Sequence, residues 1–152
     1  MKKLSVFSIA AFLLLAITLP LAAQAPDNIS PRHAQPPIRI ANVPYNPNNP
    51  TGILPTQFRS AYGFNHVPNQ GQGQTIAIVD AFDDPNIASD LAFYANYFHF
   101  GPCNLTKVKL GSIQGQGWDL EESLDVEQAC AIAPAANIVL VEAVTNNDSD
   151  LY

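Results

Sequence analysis

The sequence predicts an α/β domain built on a parallel β-sheet. Two continuous apolar runs rich in β-branched residues, 75–80 and 137–142, have the length and composition of strands buried inside such a sheet. Helical patterns alternate with strand patterns in the order strand, helix, strand, helix, strand. This alternation is typical of α/β domains in which right-handed crossovers connect parallel strands.

Residues 1–25 have the pattern of a signal peptide. Lys2 and Lys3 precede an apolar run at 4–19 that is short for a membrane span, and a small-x-small pattern ends at Ala25. We expect cleavage after Ala25, which would leave a secreted, extracellular protein without a membrane segment. An uncleaved membrane anchor is the alternative.

Residues 26–53 are dense in Pro and Asn and show little apolar periodicity, which is typical of a linker or an extended arm. Compact structure is expected over residues 54–152, as one domain or part of one. It begins with a short helix that Thr56 caps and Gly63 ends.

The first strand and the first long helix follow. The strand at 75–80 is predicted to be buried on both faces. The helix has Asp84 as its N-cap and Pro85 at its first position, and it continues to about His99. The apolar residues that repeat at helical spacing within it are Ile87, Leu91, Tyr94, Ala95 and Phe98.

The second half of the domain repeats the alternation. A shorter strand is predicted around 108–110. A helix is predicted from about 119 to 131, and it is expected to stop before Pro134. The strand at 137–142 follows, and residues 146–152 have the composition of the opening of another helix.

Charge and cysteine content narrow the class of protein. Once Lys2 and Lys3 leave with the signal peptide, five basic side chains remain against thirteen acidic ones, a formal charge of −8, so nucleic acid is not an expected partner. Export permits a disulfide between Cys103 and Cys130. Two separate buried thiols are the alternative, because the sequence does not place their backbones at bridging distance.

The segment 119–127 contains five acidic residues in nine positions and no basic one. On a helix, Glu121 and Asp125 are neighbours on one face, whereas Leu124 and Val126 are expected to point toward the sheet or its flank. Two close carboxyl groups titrate as a coupled pair, and one of them retains a proton for general acid/base chemistry. An acidic, solvated helix face is the alternative.

Three blocks of the sequence resemble sedolisins, the serine-carboxyl peptidases, in the family's order. They are LPTQFRSAYG at 54–63, GQTIAIVDAFDDPN at 73–86, and EESLDVE at 121–127 followed by AIAPAANI at 131–138. The chain therefore resembles the N-terminal portion of the sedolisin catalytic domain over about residues 54–152.

The resemblance implies a subtilisin-like fold, truncated after its first strands and helices, and a secreted endopeptidase that acts on protein or peptide substrates at acidic pH. It makes Glu121 the general base that activates a serine. It makes Asp125 the acid that orients Glu121 and shares its charge.

The family's serine lies in a downstream Ser-Gly-Thr-Ser block, together with an oxyanion aspartate and calcium-binding loops. None of these is present in the 152 residues, and neither Ser123 nor Ser149 fits that block. We therefore expect this fragment alone to be inactive, with calcium bound only by the full-length family domain and no cofactor within residues 1–152. A folded pro-domain of the family's usual kind does not fit between residues 26 and 53.

Asp80 ends the first predicted strand, where subtilisins keep a catalytic aspartate. The residues after it do not follow the subtilisin pattern, so we expect Asp80 to organise the turn at 83–85 or to line the cleft. Two rival functions are compatible with the sequence. One is a non-catalytic exported remnant that binds peptide or a protein partner, and the other is an unrelated α/β small-molecule-binding module whose acidic helix is only surface.

Overall fold

A computed structural model describes residues 32–36 and 52–152, so the predictions for residues 1–25 and for most of 26–53 lie outside the described residues. None of the helices in these two ranges has the length and apolar content needed to cross a membrane. The elements, in chain order, are helix α1 (Pro55–Ala61), a 3-10 turn (Phe64–His66), strand β1 (Thr75–Ala81), helix α2 (Ile87–Tyr97), strand β2 (Asn104–Lys109), helix α3 (Asp119–Ile132), strand β3 (Asn137–Ala143) and helix α4 (Asp148–Leu151).

The three strands form one parallel sheet in the order β1-β3-β2. The last strand in the chain is therefore the central one, and its register places Glu142 between Asp80 on β1 and Lys109 on β2. The prediction of an α/β domain with a parallel sheet is confirmed. The strand predicted around 108–110 is longer and begins earlier than its apolar residues indicate.

Helices α2 and α3 lie on the same face of this sheet. Leu91 of α2, Val126 of α3 and Ile138 of β3 belong to one buried cluster. The connection from β1 to β2 passes over β3, from one edge of the sheet to the other. The connection from β2 to β3 then runs back toward the centre, in the opposite direction. Two connections that run in opposite directions over one face have opposite hands. One crossover is therefore left-handed, which is rare, and the prediction of right-handed crossovers is wrong for it.

The opposite face of the sheet is uncovered by the described residues. Ile78 and Leu105 pack against the main core, whereas Val79 and Val108, which point the other way, are exposed. The prediction that β1 is buried on both faces is thus wrong for this part of the chain. A continuous apolar run gives the composition of a buried strand but does not show how many layers cover it.

The helix caps differ from the predictions. Leu54, not Thr56, precedes the first turn of α1, and its N–H donates a 2.9 Å hydrogen bond to Oε1 of Gln57. Asp84 stands two residues before the cap of α2, where its Oδ1 accepts the N–H of Asn86 at 2.8 Å. In both cases the sequence located the helix but not its first residue.

Part of the N-terminal arm contacts the domain. The backbone of His33 bridges that of Asn147, and the N–H of Ala34 donates to the carbonyl of Asn146 at 2.8 Å. Ala34 also packs against a small apolar cluster formed by Ala81, Phe82 and Trp118. Residues 32–36 are thus held beside the start of α4.

A disulfide joins Cys103, just before β2, to Cys130 on α3, with the two Cα atoms 5.7 Å apart. This resolves the alternative left open by the sequence in favour of the bridge. Replacing both cysteines by serine is expected to lower the free energy of unfolding by about 3 kcal/mol, because the bridge restricts the unfolded chain over a long loop. Urea denaturation of the oxidised chain and of the double variant measures this difference. Equal midpoints would contradict it, and reduced wild-type chain serves as the matched control.

Candidate catalytic site

The candidate site lies at the carboxyl-terminal edge of the sheet, where ligands of open α/β folds usually bind. Asp80 stands one residue before the end of β1, beside Glu142 of β3. Helix α3 begins at Asp119 near this edge and contacts both strands. The first turns of α3 thereby bring its acidic residues toward the end of β1.

Glu121 and Asp125 lie one turn apart on α3. Glu121 is partly buried, and its Oε2 atom is shielded from solvent and makes no hydrogen bond to any described residue. Burial, followed by the charge of Asp125, raises the pKa of Glu121. Asp125 is exposed, and the part of its carboxyl group that the protein shields from water raises its pKa as well. Both carboxyl groups therefore bind a proton more readily than they would on a solvated helix.

Asp80 completes a group of three carboxyl side chains. It is 3% exposed, and its Oδ2 atom has no hydrogen-bond partner among the described residues. Burial raises its pKa to about 7, and the charges of Asp125 and then Glu121 contribute in the same direction. Asp80 is therefore close enough to Glu121 and Asp125 for their charges to act on it, and the expectation that it lines a cleft stays a prediction. The sequence feature that points to Asp80 as a site residue is its place at the end of an apolar strand.

The backbone directly after Asp80 is strained. Phe82 has a φ of 72°, which is unusual for a bulky residue and is characteristic of functional sites. Its N–H donates to the carbonyl of Ala143 at 2.9 Å, and its side chain packs with Trp118. This apolar contact joins the loop after β1 to the residue that precedes α3, and so fixes the two segments that carry the three acids.

The other face of α3 anchors the helix. Val126 is fully buried in the main core, as predicted. Leu124 is 37% exposed, so it lies outside the buried core, and the expectation that it points toward the sheet or its flank stays a prediction. Leu120 is also exposed, one turn away. The two leucines provide apolar surface beside the carboxyl pair.

A separate charged network fixes the loop after β1. Lys107 Nζ lies 2.8 Å from Asp83 Oδ1 and 2.7 Å from Glu142 Oε1, and Lys109 Nζ lies 2.7 Å from Asp83 Oδ2. Hydrogen bonds from Lys107 and then Lys109 hold the pKa of Asp83 well below its usual range. Asp83 therefore stays ionised, in contrast to the site acids with raised pKa values.

Asp80 is buried, Glu121 is partly buried and Asp125 is exposed, yet the pKa values of all three are raised, so this group of carboxyl side chains can hold a proton and release it. These three carboxyl groups do not form a metal site. Within 32–36 and 52–152, no three or more His, Cys, Asp or Glu side chains are arranged to hold a metal ion. The calcium implied by the sedolisin resemblance was expected from loops outside this chain, and no chemical step is derived through it.

No protein-family model matches the chain, and no curated protein or solved structure shows significant similarity to it. The sedolisin resemblance therefore remains a prediction. It rests on the three sequence blocks and on the roles that they give to Glu121 and Asp125.

Proposed function

We propose that the chain carries the acidic half of the active site of a secreted serine-carboxyl endopeptidase of the sedolisin type. Glu121 is the general base, and Asp125 orients it and shares its charge. A subtilisin-like arrangement of the complete domain is part of this proposal. The nucleophile would come from a Ser-Gly-Thr-Ser block, which the 152 residues do not contain.

The observation that carries the proposal is that buried Asp80 lies within the electrostatic influence of Asp125 and Glu121. A solvated acidic helix face would leave its carboxyl oxygens in water with ordinary pKa values. Here one oxygen of Glu121 and one of Asp80 are buried without a hydrogen-bond partner among the described residues, and the pKa values of all three acids are raised. Such groups are typical of functional sites.

The chemistry proposed for Glu121 is a two-way proton transfer. As the serine oxygen bonds to the carbonyl carbon of the substrate, its proton moves to Glu121. Glu121 then gives this proton to the leaving nitrogen as the carbon–nitrogen bond breaks. Burial and then the charge of Asp125 raise the affinity of Glu121 for this proton, which makes Glu121 a stronger base once it is ionised. The preference for acidic solution is what the sedolisin resemblance implies.

The test is peptide cleavage by protein produced from the complete coding sequence and collected from the medium. We expect cleavage of an unstructured peptide library at acidic pH, detected by mass spectrometry, with activity falling as pH rises through 7. Peptides that are retained intact at every pH would contradict the peptidase proposal and favour the non-catalytic peptide-binding alternative. An absence of both cleavage and peptide binding would contradict both functions.

A further inference from the structure

Glu122 lies next to Glu121 in the sequence but points in the opposite direction, into the protein. Its side chain is 1% exposed, and that of Glu142 on β3 is fully buried. The two carboxyl groups lie within hydrogen-bonding reach of each other across the contact between α3 and β3. Neither group belongs to the three acids of the candidate site.

The carboxyl oxygens of Glu122 and Glu142 differ in the hydrogen bonds and ion pairs that they make. Oε1 of Glu142 accepts the N–H of Asp84 at 3.0 Å and lies 2.7 Å from Nζ of Lys107. Oε2 of Glu142 and both oxygens of Glu122 are buried without a hydrogen bond to any donor in the described ranges. Two carboxyl groups that interact across α3 and β3 thus have three buried oxygens without a donor, and a proton on one of the groups supplies the missing hydrogen bond between them.

The charges around Glu122 also favour a proton on its side chain. Lys107 divides its charge between Asp83 and Glu142, and Lys109 pairs with Asp83. No salt bridge in residues 32–36 or 52–152 involves Glu122. The charges on other elements that raise the pKa of Glu122 are those of acids, first Glu142 on β3, then Asp84 in the loop before α2 and Asp80 on β1. A second negative charge beside Glu142 would be buried and uncompensated.

We propose that Glu122 is a positioning residue that retains a proton at neutral pH and donates it in an O–H···O hydrogen bond to Glu142, clamping α3 to β3. The clamp follows from the burial and contacts of the two side chains, whereas its relevance to catalysis rests on the proposed function. Because Glu121 is the next residue on α3, the clamp fixes the direction in which the proposed base points. It is closed in acidic and neutral solution and opens in alkali.

The clamp predicts a particular dependence of stability on pH. Burial, followed by the hydrogen bond and the charge of Glu142, raises the pKa of Glu122 from 4.5 to about 9. Since the folded-state pKa is the higher one, the folded state holds one more proton than the unfolded state between these values, and stability falls as pH rises through this window. Between pH 7.5 and 8.5 the acids with pKa values of about 7, Asp80 and Glu127, together change the unfolding constant by less than about twofold.

The experiment measures the unfolding equilibrium constant of the whole chain in urea between pH 7.5 and 8.5. We expect the constant of the wild type to increase about eightfold. In Glu122→Gln, the amide still donates to Glu142 but does not titrate, so the constant is expected to change by less than about twofold. Glu127→Gln is the matched control on the same helix, and it should keep the wild-type slope in this range.

A carboxyl carbon NMR titration of Glu122 in the wild-type chain tests the same proton directly, even if the Gln variant does not fold. We expect a midpoint above pH 7.5. A midpoint below pH 7, or equal slopes for the wild type and Glu122→Gln, would overturn the proposal. Neither measurement uses peptide hydrolysis, so failure of the clamp is distinguishable from failure of the proposed peptidase function.

Discussion

Glu121→Gln is expected to lower the turnover number for peptide hydrolysis by a factor of about 10²–10⁴ in protein produced from the complete coding sequence. The amide has nearly the shape of the carboxyl group but cannot take a proton from the attacking hydroxyl. Glu121 is only partly buried, and its Oε2 makes no hydrogen bond to a described residue, so the fold should tolerate the change. Initial rates on a fluorogenic peptide at acidic pH, with circular dichroism to verify folding, measure the effect.

Glu127→Gln provides the matched comparison for this variant. Glu127 is on the same helix, and its pKa is raised to about 7 by burial and then by Asp90 of α2, so it faces the neighbouring helix instead of the site. The same chemical change there should leave the turnover number near that of the wild type. Unchanged turnover in Glu121→Gln would end its assignment as the base, and equal losses in both variants would indicate a general effect on α3.

The sequence was sufficient for the elements whose periodicity is strong. Helix α3 was predicted from about 119 to 131 and is observed at Asp119–Ile132, and β3 was predicted at 137–142 and is observed at Asn137–Ala143. Strand β2 was located less well because only two of its six residues, Leu105 and Val108, are apolar. The hand of the crossovers was also not predictable, because it depends on the strand order and on the face that both helices share.

The candidate site was predictable only in part. The four-residue spacing of Glu121 and Asp125 places them on one helix face without further information. The approach of Asp80 depends on the pairing of β1 with β3 and on the position of α3 above them, neither of which is a local property. Sequence reasoning also grouped Glu122 with its acidic neighbours, although its side chain is buried against Glu142.

The buried acids of this domain show why charge patterns alone mislead. Glu142 and Glu122 are buried to the same degree but are stabilised differently. Glu142 has a cation, Lys107, at 2.7 Å, whereas Glu122 has only the other carboxyl group. A lysine on an edge strand is normally interpreted as a solvated residue. Here Lys107 is the group that allows a carboxylate to occupy the central strand.

Lys107→Met is therefore expected to lower the free energy of unfolding by about 4 kcal/mol at pH 7, since it leaves the buried charge of Glu142 without its cation. Asp83 would keep Lys109, so the loss should come mainly from Glu142. Urea denaturation followed by circular dichroism measures it. Adding Glu142→Gln to Lys107→Met should recover more than half of the loss, because the amide removes the unpaired charge and still accepts the N–H of Asp84.

Lys109→Met is the control for this prediction, because its side chain is 43% exposed and its removal leaves Asp83 paired with Lys107. We expect it to cost less than about 1 kcal/mol. Equal losses for the two lysine variants would contradict the distinction between a buried and an exposed partner. A double variant no more stable than Lys107→Met alone would show that the stabilisation from Lys107 comes from contacts other than the charge of Glu142.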